Sequence, residues 1–181
     1  TKKYDVSVFA ADLWISPTDN YERFKSMGLD KKAFPILADA TKGLPFANSY
    51  FDLLFTVDAY HYFGGNQEML SSLTPYVKKG GYIAISIPGI KYEFGENIPE
   101  EMKPFWNDDV ARTIHSLDWW KELWLKEKGI EIIDIREMLC CTQSWDEWHT
   151  ANRQGIEDDL KMRKAETGQY YNLIQFIAKV L

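Results

Sequence analysis

The sequence contains few cysteines and histidines and has no long apolar segment. Its two cysteines, Cys140 and Cys141, are adjacent, and neighbouring cysteines rarely form a structural disulfide because the geometry is strained. These cysteines and three scattered histidines lack the spacing of zinc ligands, so we expect no metal site. The longest apolar runs, such as 82–88, are far shorter than the roughly 20 residues that cross a bilayer, which predicts no membrane span.

Positive charge is scarce relative to negative charge. The chain has 21 Lys and Arg against 27 Asp and Glu, a formal net charge of -6. Nucleic-acid binding depends on clustered Lys and Arg, so we expect no nucleic-acid partner. Residues 1–5 lead into an apolar stretch without the cleavage region of a secretory signal, which predicts a cytoplasmic protein. With 181 residues, 45% of them hydrophobic, we expect one domain spanning 1–181.

Strand-like and helix-like segments alternate along the first half of the chain. Apolar runs of strand length occupy 6–11, 34–38 and 51–57, and each is followed by an aspartate: Asp12, Asp39 and Asp58. A helix capped by Thr18 or Asp19 is expected between the first two runs. Alternation of this kind predicts the α/β class, with a doubly wound, mostly parallel sheet.

The second half continues with less regular signals. We expect helices at 66–79 and 116–128, strands at 82–87, 130–138 and 173–181, and a helical region from a capping box at Ser144–Glu147 to about residue 166. Gly80 and Gly81 are expected to end the first of these helices, and Pro88 to end the first of these strands. The direction of the last two strands is open. Segments 91–115 and 140–168 are expected as helical insertions over the carboxyl edge of the sheet, where they could form a lid.

The three strand-end aspartates are the first candidates for a binding site. Ligands of open α/β sheets bind outside the carboxyl ends of the strands, so these carboxylates are expected to point into one crevice. An acid at such a position can accept the hydroxyls of a ribose, and Asp12 suits that role. Each aspartate also has a purely structural explanation: a solvated turn for Asp12, an Asx turn before Thr41 for Asp39, and a cap on the following turn for Asp58.

Four short stretches add a family resemblance. Residues 8–14 (VFAADLW), 38–46 (with Ala38-Asp39-Ala40 and Leu44-Pro45-Phe46), 50–58 and 79–82 (KGGY) are similar, in order, to successive motifs of class I S-adenosylmethionine-dependent methyltransferases. The sequence of residues 58–64, DAYHYFG, resembles that of bacterial small-molecule methyltransferases akin to the quinone-biosynthesis and cyclopropane-fatty-acid-synthase-like groups. The resemblance covers nearly the whole chain and implies a Rossmann-like fold, with S-adenosylmethionine as the cofactor.

The same resemblance implies roles for individual residues. Asp12 would hold the ribose of S-adenosylmethionine, and Leu13 would lie against the adenine. Asp39 would accept a hydrogen bond from the adenine amino group, with the Ala40 backbone nearby. Asp58 would lie beside the methionine part of the cofactor, where a carboxylate suits an ammonium group.

The family's glycine-rich loop has no counterpart in this sequence. No Gly-x-Gly occurs, and no Gly-x-Ser-x-Gly of a serine hydrolase occurs either. We therefore expect a fold truncated at its amino end, with residues 1–5 as the tail of a first helix. The strands at 6–11 and 51–57 would then both pair with a central strand that is not in the sequence.

Methyl transfer requires few reactive side chains, because a sulfonium methyl is already activated. His61 could act as a base with a pKa near neutrality, and Tyr60 and Tyr62 could line the cofactor or acceptor pocket; a packing role is the alternative for all three. His115 is a weaker base candidate, and His149 is expected at the surface. Six tryptophans could form an acceptor pocket or simply anchor helices: Trp106, Trp119, Trp120, Trp124, Trp145 and Trp148.

Three functions are therefore compatible with the sequence. The first is methyl transfer from S-adenosylmethionine to a small-molecule acceptor. The second is a nicotinamide-dependent oxidoreductase, because an acid after a strand serves either nucleotide. The third is a noncatalytic binding domain with a methyltransferase-like sheet. An exposed sheet edge could pair with another chain, which would allow a homodimer.

Overall fold

The computed structural model describes residues 3–150 and 157–181. The chain divides into two compact units, Thr1–Ala47 and Asn48–Leu181, and each is described by itself.

The first unit is a strand–helix–strand motif. It consists of β1 (Val8–Asp12), α1 (Pro17–Ser26) and β2 (Ala33–Leu37), and the two strands pair in parallel. Helix α1 is capped by Ser16, whose Oγ accepts the Asp19 N–H at 3.1 Å, with Pro17 in the first turn. The predicted cap at Thr18 or Asp19 is therefore wrong, because the Ser-Pro pair begins the helix two residues earlier.

The second unit contains a four-stranded sheet in the order β3-β4-β6-β5. Strands β3, β4 and β5 run parallel to one another, and β6 is antiparallel to both of its neighbours. The elements in chain order are β3 (Phe51–Val57), α2 (Met69–Leu73), β4 (Val77–Ile90), α3 (Asp108–Thr113), α4 (Leu117–Trp124), β5 (Ile130–Glu137), α5 (Cys141–Thr150), α6 (Glu157–Glu166) and β6 (Tyr171–Val180). The predicted α/β class with a mostly parallel sheet is confirmed. Within the described residues, β1 pairs only with β2, and β3 only with β4.

Strand β4 is longer than the sequence predicted at both ends. The expected helix at 66–79 stops at Leu73, and β4 already begins at Val77. Gly80 and Gly81 lie inside the strand, where the pairing shifts from Phe51↔Val77 to Leu53↔Tyr82. A Cβ on Gly81 would lie 2.8 Å from the Asp52 carbonyl oxygen, so the glycines permit a bulge rather than end a helix.

The far end of β4 and two helix boundaries also differ from prediction. Pro88 does not end the strand, because pairing with β6 continues to Ile90↔Tyr171. Helix α4 starts after Ser116 as expected but ends at Trp124 instead of 128. The proposed capping box at Ser144–Glu147 is wrong, because Ser144 lies within α5 and donates its N–H to the Cys140 carbonyl at 2.8 Å.

The core of the second unit covers one face of the sheet. Trp120 and Trp124 of α4 are fully buried, and the Trp124 ring lies 4.6 Å from that of Phe176 in β6. Of the two roles that the sequence left open for these tryptophans, the structure shows helix anchoring. The other core residues of this face come from β4 and β6 and include Ile83, Ile85, Ile87, Ile174 and Ala178.

The segments between β4 and α4 and between β5 and β6 leave the sheet at the same edge, because β4 and β5 are parallel. They also share a hydrophobic cluster with the beginning of β6. Its buried members are Ile90, Phe94, Met102, Ile114, Met162, Tyr170 and Tyr171. The lid function stays a prediction. Within the described ranges, no helix combines the length and apolar character needed to cross a membrane.

Candidate functional site

In the first unit, the carboxyl ends of the two parallel strands bring Asp12 and Asp39 to one edge. Asp12 is the last residue of β1 and is opposite Leu37, the last residue of β2. The Ala38 N–H donates to the Asp12 carbonyl at 2.9 Å, and Asp39 follows directly. Sequence reasoning placed these two residues together correctly, because parallel pairing puts both strand ends on the same side.

The Asp12 carboxylate is fixed by its own turn through one oxygen. Its Oδ1 accepts the N–H groups of Trp14 at 2.7 Å and Ile15 at 2.9 Å. Its Oδ2 makes no hydrogen bond within the described part of the chain, and the residue is half-buried. The turn that the sequence offered as a purely structural explanation of Asp12 is thus present. The second carboxylate oxygen can still accept a hydrogen bond from a ligand hydroxyl. Leu13, next in sequence, is 49% exposed, which leaves an apolar surface beside the carboxylate.

Asp39 is more fully engaged in its own turn. Its Oδ1 accepts the Thr41 N–H at 3.0 Å and the Thr41 hydroxyl at 2.6 Å, and its Oδ2 lies 3.1 Å from the Lys42 ammonium. These hydrogen bonds, first from Thr41 and then from Lys42, lower the pKa of Asp39. The Asx turn is therefore formed, with Ala40 starting a 3-10 turn (Ala40–Lys42). The adenine contacts of Asp39 and Ala40 stay predictions.

In the second unit, Asp58 follows β3 with an unusual backbone. Its N–H donates to the Ser86 carbonyl of β4 at 2.8 Å, which extends the parallel pairing past the strand end. Its φ is 53°, in the left-handed region that side-chain-bearing residues rarely adopt. Such conformations cost on the order of 1–3 kcal/mol and cluster at functional sites. This geometry makes Asp58 the strongest candidate of the second unit.

Tyr60 belongs to the core. It begins the 3-10 turn Tyr60–Phe63, is 1% exposed, and contacts the rings of Trp120 and Trp124 edge-on at 6.0 Å each. Burial raises the pKa of Tyr60 well above its usual value. Tyr60 therefore has the packing role that the sequence left as its alternative, and its place in a cofactor or acceptor pocket stays a prediction. Helix α4, more than 50 residues later in the sequence, covers this side chain.

His61 is also buried, with 4% of its surface exposed, and its Nδ1 has no hydrogen-bond partner in the described residues. Burial lowers the pKa of His61 to about 4, so the near-neutral value expected from sequence is wrong. The ring is neutral at pH 7 and can accept a proton, but only as a weak base. Its role as a base stays a prediction.

Tyr62 is the exposed member of the turn. Its ring lies 4.1 Å from that of His61, and 53% of its surface is accessible. Partial burial, followed by the negative charges of Asp58 and Asp159, raises the pKa of Tyr62. Tyr62 therefore keeps its phenol protonated at neutral pH and can donate a hydrogen bond to a ligand.

Sequence reasoning missed two carboxylates at the same edge of the sheet, the exposed Glu93 and the buried Glu166. Glu93 accepts the N–H of Ser116 at 2.6 Å and lies 3.1 Å from His115 Nδ1. Glu166 is fully buried and accepts the N–H groups of Tyr170 at 3.1 Å and Tyr171 at 3.4 Å. The partners of Glu93 are distant in sequence, and those of Glu166 lie beyond the end of its helix. The periodicity of the sequence therefore indicates neither contact. Among the described His, Cys, Asp and Glu residues, no group of three could hold a metal ion.

Comparison with known proteins identifies the fold but no sequence family. No family model matches the chain, and no curated protein matches it. Geranyl diphosphate C-methyltransferase from Streptomyces coelicolor, crystallised with Mg²⁺, geranyl diphosphate and S-adenosyl-L-homocysteine, superimposes with a TM-score of 0.73 over 99% of this chain, at 13% identity. The chain shares its fold.

Two further solved structures have the same fold and different activities. Phospholethanolamine N-methyltransferase 2 from Haemonchus contortus matches with a TM-score of 0.71 at 16% identity, and the [4+2]-cyclase SpnF with 0.70 at 15%. Each match covers 99% of this chain. The chain spans 65% of the C-methyltransferase, 45% of the N-methyltransferase and 68% of the cyclase. At these identities the likeness shows the fold, and function must be argued from the residues.

Proposed function

We propose that this protein transfers a methyl group from S-adenosylmethionine to a small-molecule acceptor. The observation that carries the proposal is the fold shared over 99% of the chain with two methyltransferases, both crystallised with S-adenosylhomocysteine. The motif resemblance at residues 8–14 and 58–64 supports the same chemistry independently of the fold.

The Asp12 turn supports a nucleoside ligand. Two backbone N–H groups hold its carboxylate, so no side-chain ordering remains when Oδ2 accepts a ribose hydroxyl. The exposed side chain of Leu13 suits the face of an adenine ring. Asp39 and Ala40, at the same strand edge, would contact the adenine edge. These four residues are the nucleoside contacts that we propose for the first unit.

In the second unit, we propose that Asp58 contacts the ammonium group of the cofactor, as the resemblance implies. S-adenosylmethionine supplies the activated methyl when bound. The protein's own residues would orient the acceptor, exclude water and, where needed, accept a proton at His61. A base with a pKa of about 4 suits an acceptor that loses its proton easily or needs no base at all. Tyr62 would donate a hydrogen bond to the acceptor.

Binding calorimetry with S-adenosylhomocysteine and NAD, offered separately, tests the proposed function. Binding of S-adenosylhomocysteine alone supports methyl transfer. Binding of NAD alone would favour the nicotinamide-dependent oxidoreductase, and binding of neither would favour the noncatalytic domain. The match to a [4+2]-cyclase makes an activity assay necessary as well, so methyl transfer from labelled S-adenosylmethionine to candidate acceptors should accompany the calorimetry.

Cytoplasmic location, the absence of a nucleic-acid partner and a homodimeric state also stay proposals. The net charge of -6 supports the second. Light scattering at micromolar concentration would test the third, and a monomeric mass would contradict it.

A further inference from the structure

Glu93, in the segment after β4, fixes the beginning of helix α4. Its Oε1 accepts the Ser116 N–H at 2.6 Å, and the Ser116 hydroxyl in turn accepts the Trp119 N–H at 3.3 Å as the helix cap. A carboxylate is favourable here because the first N–H groups of a helix carry partial positive charge. The beginning of α4 is also joined to the end of β4, since the Ile90 N–H donates to the His115 carbonyl at 3.2 Å.

Both ring nitrogens of His115 face oxygen atoms, and one face of the ring is stacked. Nδ1 lies 3.1 Å from Glu93 Oε2, and Nε2 lies 3.3 Å from the Arg112 carbonyl oxygen. The ring stacks on Trp119 with centroids 3.6 Å apart and an interplanar angle of 8°. Only 12% of the side chain is exposed. Because both nitrogens face protein oxygen atoms, neither is available to take a proton from a methyl acceptor. His115 therefore has a structural contact in place of the weaker base role that the sequence suggested.

The Arg112 carbonyl that His115 holds also lies against the turn of His61. A Cβ on Gly64 would be 2.9 Å from this oxygen, and Gly64 has a φ of 53°. The Gly64 N–H donates to the His61 carbonyl at 2.9 Å and closes the 3-10 turn Tyr60–Phe63. The next residue, Gly65, would place its Cβ 3.7 Å from the Trp119 ring. The end of the turn therefore packs against the Arg112 carbonyl and the Trp119 ring, and His115 contacts both.

We infer that Glu93 and His115 are positioning residues for the turn that carries His61 and Tyr62. Glu93 orients His115, His115 holds the Arg112 carbonyl and the Trp119 ring, and these two groups contact Gly64 and Gly65 at the end of the turn. The inference rests on the proposed function only for its effect on turnover. Its structural part concerns contacts within the second unit and can be tested without any substrate.

The structural part is testable by NMR, because the protein has only three histidines. With ¹³C-labelled histidine, each imidazole gives one Cε1–Hε1 signal, assignable by substitution. Glu93→Gln keeps an oxygen for the Ser116 N–H and removes the charge facing His115. We expect the His115 and His61 signals to shift and the His149 signal to stay. Glu96→Gln, the same change at an exposed glutamate of the same segment without a partner among the described residues, should move none of them.

A second variant, His115→Phe, keeps an aromatic ring on Trp119 and removes both nitrogen contacts. The His61 signal should shift in this variant too. A His61 signal at its wild-type position in both variants would overturn the inference, as would an unmoved His115 signal in Glu93→Gln.

The functional part is tested by turnover. A displacement of about 1 Å can cost up to about 100-fold in rate. We expect His115→Phe to lower kcat by about tenfold to 100-fold, with the dissociation constant for S-adenosylhomocysteine unchanged and the variant folded by circular dichroism. A lower melting temperature with kcat per folded molecule unchanged would overturn the positioning role. If the NMR shifts occur but the wild-type protein transfers no methyl group, the proposed function fails while the contact network stands.

Discussion

Glu166 is fully buried and forms an ion pair with the half-buried Arg163, one helical turn earlier in α6. The second carboxylate oxygen accepts the N–H groups of Tyr170 and Tyr171 at the beginning of β6. Tyr170 in turn donates its hydroxyl to Glu101 at 2.6 Å, and the Lys91 N–H donates to the Tyr170 carbonyl at 2.8 Å. Glu166 therefore joins α6, β6 and the segment after β4.

Replacement of Glu166 by Ala should destabilise the protein strongly. It leaves Arg163 without its partner and two N–H groups without an acceptor, and breaking a buried ion pair costs about 3–5 kcal/mol. Urea unfolding at pH 7 measures this loss. Asp158→Ala in the same helix is the matched control, because it breaks an exposed ion pair with Lys161 and should cost less than about 1 kcal/mol. Equal losses would contradict the assignment.

The adjacent glycines after the His61 turn should respond differently to alanine. Gly64→Ala places a Cβ 2.9 Å from a backbone oxygen at a positive φ, so we expect a loss of at least about 1 kcal/mol. Gly65→Ala makes only ordinary contacts with Trp119 at 3.7 Å and should change the free energy of unfolding by less than about 0.5 kcal/mol. The two values come from urea unfolding. A Gly64 variant as stable as the Gly65 variant would show that the turn is not held against Arg112.

The buried His61 should make stability fall in mild acid. Its pKa is about 4 in the folded state against 6.5 as the ordinary value, because burial disfavours the charged ring. Between these two pH values the unfolded chain binds a proton that the folded chain does not, so the free energy of unfolding decreases as the pH falls from about 6.5 to about 4.

The comparison with His61→Gln isolates this effect, because the carboxylates titrate alike in both proteins. Urea unfolding between pH 7 and pH 4.5 should show a smaller loss of stability for the variant than for the wild type. Parallel curves for the two proteins would mean that burial does not lower the pKa of His61 in the folded state.

Asp12→Asn should weaken cofactor binding without unfolding the first unit. Hydrogen bonds to charged groups contribute about 1.5–3 kcal/mol, so the dissociation constant of S-adenosylhomocysteine should rise by roughly tenfold to 100-fold. The amide oxygen of Asn can still accept the N–H groups of Trp14 and Ile15. Asp30→Asn, in the loop before β2, is the control and should bind like the wild type. Unaltered binding by the Asp12 variant would remove this residue from the proposed site.

The candidate site was partly predictable because strand ends are visible in the sequence. Asp12, Asp39 and Asp58 each follow an apolar run, and parallel pairing placed the first two at one edge, as expected. The environment of the His61 turn was not predictable. Residues of α3 and α4, dozens of positions later in the sequence, pack against this turn, and burial lowers the pKa of His61. The same long-range packing buries Tyr60 in the core, which sequence reasoning left as only one of two alternatives.

The amino-acid sequence by itself determined the alternation of strands and helices, the acids at the strand ends and the motif resemblance, because all of these are local patterns of a few residues. The tertiary structure alone decided the bulge at Gly80 and Gly81, the antiparallel direction of β6 and the contacts of Glu93, His115 and Glu166. These features depend on which distant backbone or side-chain atoms meet, and a buried charge or a left-handed residue is recognisable only from the partners that surround it.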